Sequence, residues 1–214
     1  MNRIIIALCL SFWLGGQEVR TINPKEYESG PDYRITRPNF VYRGEFLQFR
    51  GFDYKNFVLH TFDKKNGHVV CGQLHEGKWE DREENHAGLE SLTWEQAYPL
   101  SSGNPSIQYV LAFFTYFGVG GSSESGGYVQ VWRLQDKQLT IVQQIQFNTH
   151  FAGEREYFAF DKDRQSLTVR ASHYMPGDAH CCISAFDELT FRWEDGLFEL
   201  QKKVTKPTHP ASSH

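Results

Sequence analysis

The sequence is poor in the features that most directly announce a chemistry. It holds 4 cysteines in 214 residues, and none are spaced C-x-x-C, the arrangement that lets one thiolate sit at a helix N-terminus with a lowered pKa. Downstream of the N-terminus no apolar run is long enough to cross a bilayer as a helix. The best candidate, IQYVLAFFTYFGVGG at 107–121, is interrupted by polar residues and ends in glycines. Basic residues are not in excess: 22 Lys and Arg stand against 26 Asp and Glu, a formal net charge of −4. With no basic stripe, nucleic acid is disfavoured as a partner. No repeat of solenoid or propeller period is present. The Gly/Ser stretch GVGGSSESGG at 118–127 is neither a G-x-S-x-G elbow nor a phosphate loop with its lysine.

What is present begins with the first residues. Arg3 precedes an apolar run from Ile4 to Leu14, and the small pair Gly15 and Gly16 leads into polar sequence. That is the layout of a secretory signal peptide over 1–16, cleaved after Gly16. The run falls well short of the roughly 20 residues of a membrane span, so no stable span is expected after cleavage. Leu8 before Cys9 is wrong for a lipoprotein site. The mature chain is expected to be soluble and secreted or periplasmic.

From Asn39 onward aromatic-rich alternation with regularly placed turn residues predicts a mainly β fold, an antiparallel meander or sandwich-like single domain over 39–203 with little helix. In ELTFRWE, Leu189, Phe191 and Trp193 share one face, and Glu188, Thr190, Arg192 and Glu194 the other. QLTIVQQIQF places Leu139, Ile141, Ile145 and Phe147 on one face and pairs with GYVQVWRL across the turn QDKQ. A second hairpin runs from REYFAFD through KDRQ to SLTVRASHY, and LFELQKK follows the turn EDG. In the first half NFVYRGEFLQF, NFVLHTF and GHVVCGQL read as strands, whereas EENHAGLESLTWEQA at 83–97 reads as a short helix or an irregular segment. Segments 17–38 and 204–214 lack periodicity and are expected to be a mobile N-terminal stretch and a disordered tail.

HYMPGDAHCCISAFDELTFRW at 173–193 concentrates the reactive side chains: His173, Asp178, His180, Cys181 and Cys182. In an oxidising compartment Cys71, Cys181 and Cys182 remain after cleavage, an odd number that forbids complete pairing within one molecule. A bond from Cys71 to either neighbour would close a loop of roughly 110 residues, which the chain-entropy model rates at about 4 to 5 kcal/mol. A Cys181–Cys182 bond would close almost no chain. A disulfide clasp is the expected role. Metal binding by Asp178, His180, Cys181 and Cys182, with His173 or His150 in support, offers the right atoms for zinc. Neighbouring strand residues point to opposite faces, however, so the two thiolates do not easily share one ion. A redox role lacks the helix dipole. Asp161 and Asp163 in FDKDRQS resemble the start of a calcium loop that lacks its glycine and terminal glutamate.

The order of pieces resembles a broad family of uncharacterised exported bacterial proteins and lipoproteins. It is carried by NFVY at 39–42, YVLAFFTYFGVGGSSESGG, VQVWRL, GDAHCCIS and FRWEDGLFEL, and spans roughly 39–200. Its sharpest element is DAHCC before an aromatic R-W strand. The resemblance implies an FG-GAP-like calcium loop ahead of the apolar strand. Here that stretch is YPLSSGNPSIQYVLA, with Pro99 and Gly103 where acidic residues belong. It implies no activity.

Aromatic residues make up 15% of the chain. β-Rich domains favour them, and at a surface they can stack on sugars or anchor another protein. The sequence therefore leads to an exported, non-enzymatic envelope or extracellular binding or structural module. Its expected partner is a protein or glycan at the cell envelope, and no cofactor is expected. A metal-binding protein using the Asp178-His180-Cys181-Cys182 region, or a secreted hydrolase or redox enzyme, is the alternative.

Overall fold

The computed structural model describes residues 19–20, 25–29, 33–42, 46, 48–62, 69–80, 89–118, 125–149, 157–179 and 183–208. Residues 1–16, expected to be a signal peptide, and His150, His180, Cys181 and Cys182 lie outside them. The strands are β1 (Val19–Arg20), β2 (Lys25–Ser29), β3 (Tyr33–Arg37), β4 (Phe40–Tyr42), β5 (Val58–Phe62), β6 (Val69–Gln73), β7 (Lys78–Glu80) and β8 (Leu89–Leu100). They continue as β9 (Ile107–Gly118), β10 (Ser125–Gln135), β11 (Gln138–Thr149), β12 (Phe158–Asp161), β13 (Ser166–His173), β14 (Ala185–Glu194) and β15 (Leu197–Pro207). A single 3-10 turn, Tyr54–Asn56, is the one helical element among the described residues. The fold is mainly β and antiparallel, as the alternation predicts.

Nine strands form the main sheet. Its path is β1-β4-β11-β10-β9-β8-β7, with β3 paired to β11 beside β4 and β2 paired to β3. β12 to β15 form a four-stranded meander, and β5 with β6 a separate hairpin. The four-stranded sheet packs on one face of the main sheet, where Leu167, Val169, Leu189, Phe191 and Phe198 meet Ile35, Leu111, Phe113, Val129 and Phe147. Phe49, Phe57, Leu59 and Leu74 cover the other face, against Phe40, Phe114, Trp132 and Ile141. β10 and β11 are consequently buried on both sides. Each large side chain enclosed this way contributes roughly 1.5 to 3 kcal/mol.

Burial on both faces requires every polar side chain at the centre to find a partner. Trp132 Nε1 donates to Gln130 Oε1 at 2.9 Å, and Gln130 Nε2 donates to Gln144 Oε1 and to the His60 carbonyl, both at 2.9 Å. The Tyr42 hydroxyl accepts from the His60 N–H at 3.1 Å. These bonds fasten the β5–β6 hairpin to the main sheet. His60 is 4% exposed, and burial pushes its imidazole down to about 4.

Several expectations need correction. Leu139, Ile141, Ile145 and Phe147 do not share one face. The register slips between Val131↔Gln143 and Trp132↔Ile141, leaving Val142 as a bulge. Leu139 and Ile141 therefore join the cluster under the hairpin, while Ile145 and Phe147 face the four-stranded sheet. The stretch read as helix or irregular segment is β8 from Leu89 onward, its earlier residues lying outside the described ones. Bulges at Glu90 and Glu95 each insert one residue and break the period of 2. Leu92, Trp94 and Ala97 then contact the same cluster at spacings of two and three, which no strict alternation shows.

Among the described residues of NFVYRGEFLQF, Phe40–Tyr42 is the strand, and Phe46 and Phe49 pack on the same cluster outside any strand. The segment expected to be mobile up to residue 38 contains β1, β2 and β3, and Tyr33 and Ile35 of β3 are core residues. Their alternation spans only five residues between Pro31 and Pro38, too short to stand out in sequence. At the other end β15 continues to Pro207, past the expected boundary at Val204. Thr208 is buried there, its N–H donating to the Ser184 carbonyl at 2.8 Å and its hydroxyl to the Ile183 carbonyl at 3.2 Å.

Candidate functional site

The described part of the reactive stretch divides between two unrelated tasks. Asp178 organises a turn: one carboxylate oxygen accepts from the Met175 N–H at 2.8 Å, the Ser184 N–H at 2.9 Å and the Ser184 hydroxyl at 3.0 Å. The Ser184 and Met175 amides and the Ser184 hydroxyl hold this carboxyl below its ordinary value. His173 instead faces inward toward Asp187, with Nδ1 3.2 Å from Oδ1, a close contact that is not aligned as a hydrogen bond.

Asp187 is the residue that sequence reading missed. Its carboxylate is 1% exposed, receives the Thr205 hydroxyl at 2.7 Å, and sits 3.1 Å from Lys203 Nζ. Burial pushes the carboxyl up, but Thr205, Lys203 and His173 outweigh it and leave it below its ordinary value. Lys203 also donates to the Tyr33 hydroxyl at 3.4 Å and lies 4.9 Å from the Tyr33 ring centre. The signal was available in sequence: stepping back by two from Trp193, Phe191 and Leu189 lands on Asp187. Through Lys203 and Tyr33 this cluster links the two sheets.

Among the described residues no three His, Cys, Asp or Glu side chains converge as metal ligands. His173 and Asp178 serve different partners. Cys71 lies in β6 with its backbone opposite His60, and its side chain lies outside the described residues. Asp161 accepts from the N–H groups of Asp163 and Arg164, both at 3.0 Å, making a polar turn of the KDRQ segment.

Concave surface is found at the far end of the β8–β9 hairpin. On the side of the four-stranded sheet a polar depression of about 560 Å³ lies between the 101–106 loop and the β14–β15 turn. Trp193 and Tyr109 form its aromatic wall, edge to face with ring centres 5.1 Å apart. Trp193 Nε1 donates to the Ser101 carbonyl at 2.8 Å, and the Ser101 N–H donates to Gln165 Oε1 at 3.0 Å. Gly196 is required in the turn. Its φ is +90°, and a Cβ there would lie 2.7 Å from the Tyr109 hydroxyl. Ser102 Oγ and Asn104 fold the loop tip by bonds of 2.8 and 3.1 Å, and Glu194 and Asp195 form the opposite rim.

A second concavity of about 460 Å³ lies beside the first, sharing Ile107 and Tyr109 with it. Phe49, Tyr54, Pro99 and Val110 form apolar walls, and Arg50 and Gln108 supply polar groups. The hairpin end thus offers two recesses of different chemistry held by core-anchored side chains.

No protein-family model matches this chain, and searches of curated proteins and of solved structures return no match.

Proposed function

We propose that the protein is an exported, non-enzymatic binding module that engages an envelope or extracellular glycan through the polar recess at the end of the β8–β9 hairpin. The observation that carries this reading is the aromatic wall of Trp193 and Tyr109 ringed by Ser101, Ser102, Asn104 and Asp195. Sugars present apolar C–H faces and hydroxyl edges, so an aromatic plane beside neutral and acidic hydrogen-bonding groups complements them. Trp193 is held by the Ser101 carbonyl and by packing on Phe198 at 5.3 Å, so its ring needs little ordering when a ligand arrives.

The N-terminal layout supports export, and Cys71, Cys181 and Cys182 are assigned to a covalent clasp. Protein purified from an oxidising compartment is then expected to begin near Gln17, to carry at most one free thiol, and to hold no stoichiometric zinc after dialysis. Three free thiols with one bound zinc would overturn the clasp.

The glycan reading is tested by retention of the mature protein on immobilised neutral polysaccharides. Retention of the native protein and its loss in Ser102→Arg, which projects a long charged side chain from the recess rim, is expected. Equal retention of both, or retention of neither, overturns it.

A further inference from the structure

The second recess, independent of the glycan reading, has the character of a small-ligand site. Its volume of about 460 Å³ falls within the range of ligand pockets, which are mostly apolar with a few placed polar groups. Tyr54 stacks on Trp94 with ring centres 5.8 Å apart and on the other side meets Trp132 at 5.7 Å. Its wall is therefore continuous with the core.

The polar groups include strong donors. Gln108 Oε1 already accepts from the Phe49 N–H at 3.2 Å, and its Nε2 has two protons to donate. Arg50 is exposed and forms no ion pair with a described carboxylate. Burial pushes the Tyr54 hydroxyl up to about 12, so it keeps its proton. No described Asp or Glu lines the recess. The nearby Asp53 is engaged in its own turn, accepting from the Lys55 N–H at 3.1 Å, the Asn56 N–H at 3.2 Å and Asn56 Nδ2 at 3.0 Å. A cavity with apolar walls, a guanidinium that pairs with no described carboxylate and amide N–H donors favours an anion attached to an apolar body.

We propose that this recess binds a small amphipathic carboxylate, with the carboxylate on Arg50 and Gln108 Nε2 and the apolar body against Tyr54, Pro99 and Val110. The test uses the mature protein and two probes of one shape, 4-phenylbutyrate and 4-phenylbutan-1-ol, in calorimetric titration with amide chemical shifts followed in parallel. The acid is expected to bind saturably and at least tenfold tighter than the alcohol. Arg50→Gln should remove that preference, and Ala97→Trp should abolish binding of both by filling the recess. Shifts in the native protein should centre on residues 49–54, 97–100 and 107–110, an outcome that needs no variant to fold. Equal binding of acid and alcohol, an unchanged preference in Arg50→Gln, absence of saturable binding, or shifts centred on Trp193 and Gly196 would each overturn the proposal. Tighter binding of a short peptide ending in phenylalanine than of 4-phenylbutyrate would overturn the small-molecule assignment in favour of a polypeptide terminus.

Discussion

Gln143 of β11 pairs with the main chain of Phe198 in β15 as a neighbouring strand would. Its Nε2 donates to the Phe198 carbonyl and its Oε1 accepts from the Phe198 N–H, each at 2.8 Å. The contact joins the two sheets next to the Val142 bulge of β11. Replacing Gln143 by Leu keeps the volume but strands a buried donor and a buried acceptor. A loss of about 2 to 4 kcal/mol is expected, read as a fall in the urea midpoint without change in slope. A change below 0.5 kcal/mol would show that the pair is not formed.

The faces of β14 make a second test. Phe191 is wholly buried, Trp193 is partly buried against the same cluster, and Arg192 points to solvent with only an exposed 3.8 Å pair to Glu194. Phe191→Ala should cost about 3 to 5 kcal/mol and Arg192→Ala less than about 0.5 kcal/mol, with Trp193→Ala between them. Equal shifts of the three denaturation midpoints would contradict the face assignment.

Two glycines that look alike in sequence should behave oppositely. A Cβ on Gly126 would stand against the Phe147 carbonyl and the Tyr116 ring, whereas one on Gly103 meets nothing within 4 Å. Gly126→Ala is expected to prevent β10 from pairing with β11 and to abolish cooperative unfolding by circular dichroism. Gly103→Ala should leave the melting curve in place.

Acid stability turns on His60. Its folded pKa of about 4 lies below the unfolded value near 6.5, so the unfolded chain binds the extra proton first. The stabilisation is complete above the unfolded pKa, declines as pH falls through 6.5 toward 4, and is lost below. About 3 kcal/mol is at stake. Asp187 and Glu188, both held below their ordinary values, add losses only at lower pH, beneath the ordinary carboxylate pKa. His60→Leu should therefore flatten the stability profile between pH 6.5 and 4.5 while keeping the steeper loss beneath it. An unchanged slope in that window would remove His60 as its cause.

The second half of the chain was the legible half because its hairpins carry both alternation and turn residues. β10–β11, β12–β13 and β14–β15 all stand where the pattern places them. β8 was hidden by its two bulges and β3 by its brevity. The buried roles of Gln130 and Gln143 had no sequence signal, because their partners, the His60 carbonyl and the Phe198 main chain, come from distant strands. The reactive stretch advertised His173 and Asp178, but strand register gave His173 to Asp187 and the turn took Asp178. The recesses at the hairpin end had no sequence signal. They arise where loops 49–54 and 101–106 and the β14–β15 turn come together, and none of these is periodic.

The most direct test of the proposed function follows the Trp193 indole N–H resonance, held by the Ser101 carbonyl, while neutral hexasaccharides are titrated into the isotope-labelled mature protein. For at least one glycan a saturable shift is expected at Trp193, Gly196 and the 101–106 amides, with the sugar recovered intact. If no glycan moves these resonances, the binding account is contradicted; if the sugar is cleaved, its non-enzymatic character is.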